Sequence, residues 1–192
     1  MGNKDFPAQE SFTKKTKPLA GETKNKNNNR KPHAFQIKVK RKRKMIDAKE
    51  IEIIIPHRGH MRLIDEVREF NDQSAVGVKY VRDDEFWCEG HFPGNPIMPG
   101  VLQVEALAQT ACFVAFKRMT DEERKDMLGY FTTMEKIKFS HMVRPGDKLE
   151  LHVELLLKKM SLYKFHGIAF VGGKKVAEAT FTAVIQKVKD EN

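Results

Sequence analysis

Two kinds of apolar spacing divide the chain. From Val101 to Phe116 sixteen residues run without Gly or Pro, and twelve of them are apolar (V-L-Q-V-E-A-L-A-Q-T-A-C-F-V-A-F). They surround the helical wheel instead of forming one stripe, and a helix apolar on all sides is a buried helix. In the C-terminal third the period changes to two. Leu149, Leu151, Val153 and Leu155 alternate with Lys148, Glu150, His152 and Glu154. Ala177, Ala179, Phe181, Ala183 and Ile185 alternate likewise with Glu178, Thr180 and Thr182. Such alternation predicts strands with one face buried. Gly172-Gly173 predicts a hairpin turn between two such runs.

Further strands are expected over 62–70, 74–82 and 130–140, the first two joined at Asn71-Asp72. Phe86-Trp87-Cys88 reads as one more short strand. Met45–Ile55 is compatible with a short helix or an extended run. Asp47 with Glu50 three residues on favours the helix, and Pro56 ends it. Thr120 before Asp121-Glu122-Glu123 predicts a second short helix, to about Leu128. One long buried helix with about six antiparallel strands makes an α+β domain, because a curved sheet must wrap the helix to bury it on several faces. In a single copy that helix would stay partly uncovered, which favours pairing.

Between these elements lies G-H-F-P-G-N-P-I-M-P-G, residues 90–100. Three glycines and three prolines exclude a helix or ladder strand there and predict a fixed loop. From Gly90 to Phe116 the only formal charge is Glu105. An ionised carboxylate is costly to bury, so an apolar helix favours its protonated form. Gln109 lies one turn on, placed to orient that carboxyl. His91 supplies an imidazole, suited to general-base work near neutral pH. Gly100 leads the helix, where the first N–H groups have no intrahelical acceptors. Base, acid and oxyanion donor thus fall in one short segment. Taken singly, a buried Glu is as easily a structural ion-pair partner, and a His beside Phe-Pro-Gly part of a turn.

Charge separates a tail from the rest. The 192 residues carry a net +9, yet residues 1–45 hold 14 Lys and Arg against 3 Asp and Glu, and the remainder 21 against 23. The tail contains N-K-N-N-N-R-K and few large apolar residues, a composition expected to be disordered. Its end, Lys38 to Lys44, could contact nucleic acid, an anionic membrane or an acidic protein. A solvated, self-repelling linker is the reading adopted, and no nucleic-acid partner is expected. No apolar run approaches 18 residues, so no transmembrane helix is expected. Cys88 and Cys112 show no metal or redox spacing. A cytoplasmic location is expected, with an organelle as the alternative if the tail is a transit peptide.

The string from Gly90 to Gln109 closely resembles the active-site motif of the (3R)-hydroxyacyl-acyl-carrier-protein dehydratases of the FabZ type. In that family a G-H-F-P-G-x-P-x-M-P-G-V loop leads into an E-A-L-A-Q helix. A related family that also isomerises the double bond carries Asp where Glu105 stands. Pro56-His57-Arg58, Leu63-Ile64-Asp65 and Pro145-Gly146-Asp147 extend the match over about 46–192. The family usually has Tyr-Pro-Phe where this chain has Gly59-His60-Met61, and an aliphatic residue in place of Arg62, so gating of the acyl tunnel is expected to differ here. His57, His60 and Asp65 could be offered as metal ligands, but no other cluster supports this.

The resemblance implies a hotdog fold over 46–192, dimeric and often assembled as a trimer of dimers. It implies dehydration of (3R)-3-hydroxyacyl thioesters on an acyl carrier protein in fatty-acid synthesis, with no metal, nucleotide or flavin. His91 and Glu105 would be base and acid, met across the dimer. Gly100 N–H would hold the thioester carbonyl, with Gln109 behind the acid. Ile97, Met98, Phe113 and Phe131 are candidate walls of an acyl tunnel. Two other readings stand beside this one: another hotdog enzyme, a thioesterase or coenzyme A thioester hydratase, and a non-catalytic acyl-binding protein.

Overall fold

The structure is a computed structural model that describes residues 45–188. The basic segment ahead of Met45 lies outside those residues, so the tail expectations are carried forward unchanged. Helix α1, Ala48–Ile54, starts on a capping box in which Asp47 accepts from Glu50 N–H and Glu50 reaches back to Asp47 N–H. A single 3₁₀ turn, Gly59–Met61, follows. Strands β1, Glu66–Phe70, and β2, Ser74–Tyr80, form a hairpin across Asn71, whose side chain accepts from Gln73 and Ser74 N–H. After a long loop come helix α2, Gly100–Phe116, and the short helix α3, Asp121–Arg124. Strands β3, Met127–Phe139, β4, Lys148–Lys159, β5, Leu162–Val171, and β6, Lys174–Lys187, complete the chain. All six strands form one antiparallel sheet in the order β1-β2-β4-β5-β6-β3, with β1 and β3 at its edges.

The core lies between α2 and the inward rows of that sheet. Leu149, Leu151 and Val153 of β4 and Ala177, Ala179 and Phe181 of β6 are buried, as their period-two spacing predicts. On the helix Val104, Leu107, Phe113 and Phe116 are buried, and α2 packs on β2, β4, β5 and β6. The expectation of a helix buried all round needs one correction. Glu105, Ala108, Cys112 and Ala115 form a partly buried stripe, where three short side chains leave space against the sheet.

Three local expectations fail. Phe86-Trp87-Cys88 is not a strand: Cys88 N–H bonds to Glu85 C=O and His91 N–H to Trp87 C=O, so the segment coils. Its aromatic β-preference yields to burial of Trp87 and to the clamp on Glu85 made by the fully buried Lys79, 2.6 Å away. Helix α3 does not reach Leu128. Asp126 takes a positive φ of 64° and the chain enters β3, where pairing with β6 satisfies the backbone from Met127 onward. Strand β1 begins at Glu66 and not at residue 62, because Leu63 N–H is already bonded to Gln109.

Candidate active site

Glu105 heads a cavity between α2 and the sheet. Helix residues Ala108, Cys112 and Ala115 form one wall, and Phe131, Tyr163, Phe165, Phe181 and Ala183 from three strands form the other, bordering about 470 Å³ of space that includes open solvent. The helix stripe repeats every three or four residues, and the strand residues belong to the inward rows, so helix and strand periods together make the space apolar. Two polar side chains, Glu105 and His57, stand at its head with Gln109 beside them.

Gln109 is the fixed point. Its Oε1 accepts from Leu63 N–H at 2.7 Å, while Nε2 donates to Met61 C=O at 2.7 Å and to Glu105 Oε1 at 2.9 Å. A backbone N–H needs an acceptor and a carbonyl needs a donor, so the orientation of this fully buried amide is forced. Glu105 therefore meets a donor already held on two sides. His57 Nε2 lies 3.4 Å from the same Glu105 oxygen, and His57 Nδ1 is buried without a hydrogen-bond partner among the described residues. The residue expectations did not place His57 here, because its sequence distance from Glu105 hides the contact. The Pro-His-Arg match alone pointed to it. Cys112, one turn beyond Gln109, is an unannounced wall residue. Burial, helped by the Glu105 charge, pushes its thiol up to about 12.

His91 is held elsewhere. Its backbone N–H bonds to Trp87 C=O, its C=O accepts from Ile97 N–H, and its ring Nδ1 lies 2.8 Å from Ile97 C=O. A carbonyl only accepts, so Nδ1 carries the proton and a neutral ring keeps its lone pair on Nε2. Phe92 stacks on the ring at a centroid distance of 4.2 Å. Arg144 ties the loop to the β3–β4 connection through Asn95 Oδ1 at 2.6 Å, and Met98 N–H bonds to Val143 C=O.

The structure thus separates the residues that the sequence places together. Within one chain His91 and Gly100 do not line the cavity that Glu105 heads. Of the expected tunnel walls, Phe131 lines it. Phe113 does not: it is buried on another side of α2, edge-on to Phe70. Met98 is buried within the loop and Ile97 is partly exposed beside His91, and neither reaches the cavity. Gly100 starts α2 against Phe139, whose ring would lie 2.7 Å from an added Cβ, so close packing requires glycine at that point. Gly59 does not border the cavity either, and its φ of +56° is one that a tyrosine would adopt only under strain.

A curved antiparallel sheet packed on one long helix, with a carboxylate at the head of an apolar cavity, defines a hotdog-fold protein. Solved structures agree on the fold. The dehydratase heterocomplex ApeI:P from Xenorhabdus doucetiae matches with a TM-score of 0.62 at 19% identity, over 73% of this chain and 91% of that one. A sigma28-regulated virulence protein from Campylobacter jejuni matches with a TM-score of 0.56 at 14% identity, over 75% and 93%. The FabA-like domain profile matches residues 55–180. The chain is 44% identical over 142 residues to the 3-hydroxyacyl-(acyl-carrier-protein) dehydratase FabZ of Caulobacter vibrioides, covering 73% of this chain and 88% of the relative. It is 47% identical over 135 residues to that of Acetivibrio thermocellus, covering 70% and 90%. The chain belongs to the FabZ family of FabA-like dehydratases.

Proposed function

We propose that the protein dehydrates (3R)-3-hydroxyacyl thioesters on an acyl carrier protein to trans-2-enoyl thioesters, as an enzyme of fatty-acid biosynthesis, and that each site is assembled from two copies of the chain. Family membership supports the reaction. The observation that supports the shared site is the separation of His91 from the cavity headed by Glu105.

In this reading the acyl chain lies in the cavity and the thioester sits at its head. His91 Nε2, from the second copy, takes a proton from the carbon next to the thioester carbonyl. The charge that develops on the carbonyl oxygen is met by Gly100 N–H at the positive end of α2. Glu105, as the neutral acid, gives its proton to the 3-hydroxyl, which leaves as water. Gln109 already donates to Oε1, so Oε2 is the oxygen left to carry that proton. The imidazolium and carboxylate formed return to their starting states by proton exchange through water. Ile97, beside His91 on the loop, would then meet the cavity mouth from the partner.

A second copy also accounts for the sheet edge at β3. Tyr130, Met134, Ile137 and Phe139 are all exposed on a strand that, among the described residues, has one unpaired side. A long apolar edge left open is an invitation to pair. A homodimer through this edge is the expected state, and the resemblance to the family implies that such dimers are often assembled further into a trimer of dimers.

A thioesterase or coenzyme A hydratase remains the competing reading for the fold. Mass spectrometry of products from 3-hydroxyacyl-carrier-protein substrates separates them. The dehydratase yields an enoyl thioester lighter by one water, with the carrier still attached. Release of free acid would overturn the reading, and turnover confined to coenzyme A thioesters would overturn the carrier assignment.

A further inference from the structure

Three glycines sit inside strands that face α2 or its cavity: Gly77 of β2, Gly129 of β3 and Gly167 of β5. A glycine weakens a strand interior and often marks the close approach of another group. At Gly77 that group is Thr110, whose Oγ1 would lie 2.4 Å from an added Cβ. At Gly167 it is Leu107, at 3.1 Å. At Gly129 the nearest atom is Ile185 Cγ1 at 3.9 Å, an ordinary contact, and the backbone is outside the left-handed region. Within one chain neither packing nor conformation requires glycine there. What its missing side chain leaves is space in the cavity, which Gly129 lines.

Its position along the cavity follows from the ladder. Gly129 pairs with Ile185, and Phe131 pairs with Ala183 in the next row. Gly100 at the start of α2 packs on Phe139 at the end of β3, so the start of β3 lies toward the end of the helix. Glu105 and Ala115 are ten residues apart on α2, about 15 Å along its axis. Gly129, Ile185 and Ala115 therefore form the end of the cavity remote from the carboxyl.

We propose that Gly129 is a specificity-determining residue that sets how long an acyl chain the enzyme accepts. This rests on the acyl-thioester reading given above. Each methylene taken out of water strengthens binding about four-fold. The gain should continue with chain length until the terminal carbon meets the Gly129–Ile185 row. A side chain at 129 would fill that row and end the gain earlier, with nothing altered at the Glu105 end.

The test compares the native protein with Gly129→Ala, Gly129→Val and Gly129→Leu, on 3-hydroxyacyl thioesters from butyryl to palmitoyl. Two quantities are read: kcat/KM for dehydration of carrier-linked substrates, and calorimetric affinity for the matching acyl-pantetheine thioesters. The butyryl substrate should be handled equally by all four proteins. The longest substrates should lose at least ten-fold with Val and more with Leu, with Ala between native and Val. Equal losses at every length, or none at any length, would overturn the proposal. If Leu fails to fold, Ala and Val carry the comparison, since the Cβ has room and Val suits a strand. A native protein that binds thioesters but turns none over would defeat the dehydratase reading, and the depth claim would still be decided by the affinities.

Discussion

The two sides of α2 follow opposite packing rules. On one side the helix touches bare backbone: Thr110 lies over Gly77 with no room for a methyl group, and Leu107 lies over Gly167 with room only if its side chain shifts by a few tenths of an ångström. Along the Glu105–Ala115 stripe the helix carries alanines and a cysteine, and residues of β3, β5 and β6 face it across a cavity. One side uses glycine on the sheet to bring surfaces together. The other uses small residues on the helix, and Gly129 on the sheet, to keep them apart. Close packing stabilises the fold on the first side, while the second gives up burial and leaves the cavity proposed above to hold the acyl chain. Gln109 stands at the border, joining the chain around Met61–Leu63 to the carboxyl at the head of the cavity.

That contrast can be broken at several points. Gln109→Leu should have the largest effect on stability. It strands the buried Leu63 N–H, removes the donor to Met61 C=O and frees the Glu105 carboxyl, costing about 3 kcal/mol, with a fall in turnover. An unchanged urea midpoint would mean that water replaces the amide. Gly77→Ala should cost about 2–3 kcal/mol by overpacking, because the Thr110 hydroxyl it meets is itself bonded to Ala106 C=O. Gly167→Ala should cost about 1 kcal/mol, since the Leu107 side chain can shift by a few tenths of an ångström. Equal midpoints for these variants and Gly129→Ala would abolish the distinction between the two sides.

The smallest effect is a slope against pH. The folded Cys112 thiol titrates near 12, above its ordinary range near 9, because burial opposes the thiolate. A pKa raised on folding contributes stability that is complete below the ordinary range and is lost as pH rises toward the folded value. Urea midpoints should therefore fall between about pH 9 and the onset of alkaline unfolding, and Cys112→Ala should flatten that part of the curve. A slope unchanged in Cys112→Ala would assign it to other groups.

Local signals in the sequence carried much of this architecture. The capping boxes at Asp47 and Thr120, the Gly172-Gly173 hairpin and the alternation in β4 and β6 each depend on neighbours a few residues away. Phe86-Trp87-Cys88 was misread because its conformation is decided by Lys79 reaching Glu85, a tertiary ion pair that no local propensity reports. The motif from Gly90 to Gln109 points to a chemistry but says nothing of its geometry. Adjacent residues in a chain can be directed apart, and the loop does this by turning the His91 ring onto Ile97. His57 and the cavity walls were hidden for the reverse reason: they come from segments distant in sequence that meet only when the sheet closes on the helix.

The central claim is that His91 and the cavity headed by Glu105 are halves of one site supplied by two copies of the chain. His91→Ala and Glu105→Gln should each reduce turnover by about 10²–10⁴-fold, since base and acid act in the same reaction. When the two variants are co-expressed, about half of the dimers should be mixed, and a two-fold mixed dimer holds one doubly altered site and one intact site. Roughly a quarter of native activity should then return. Activity that stays at the single-variant level, in a sample shown by mass spectrometry to contain mixed dimers, would contradict the shared site.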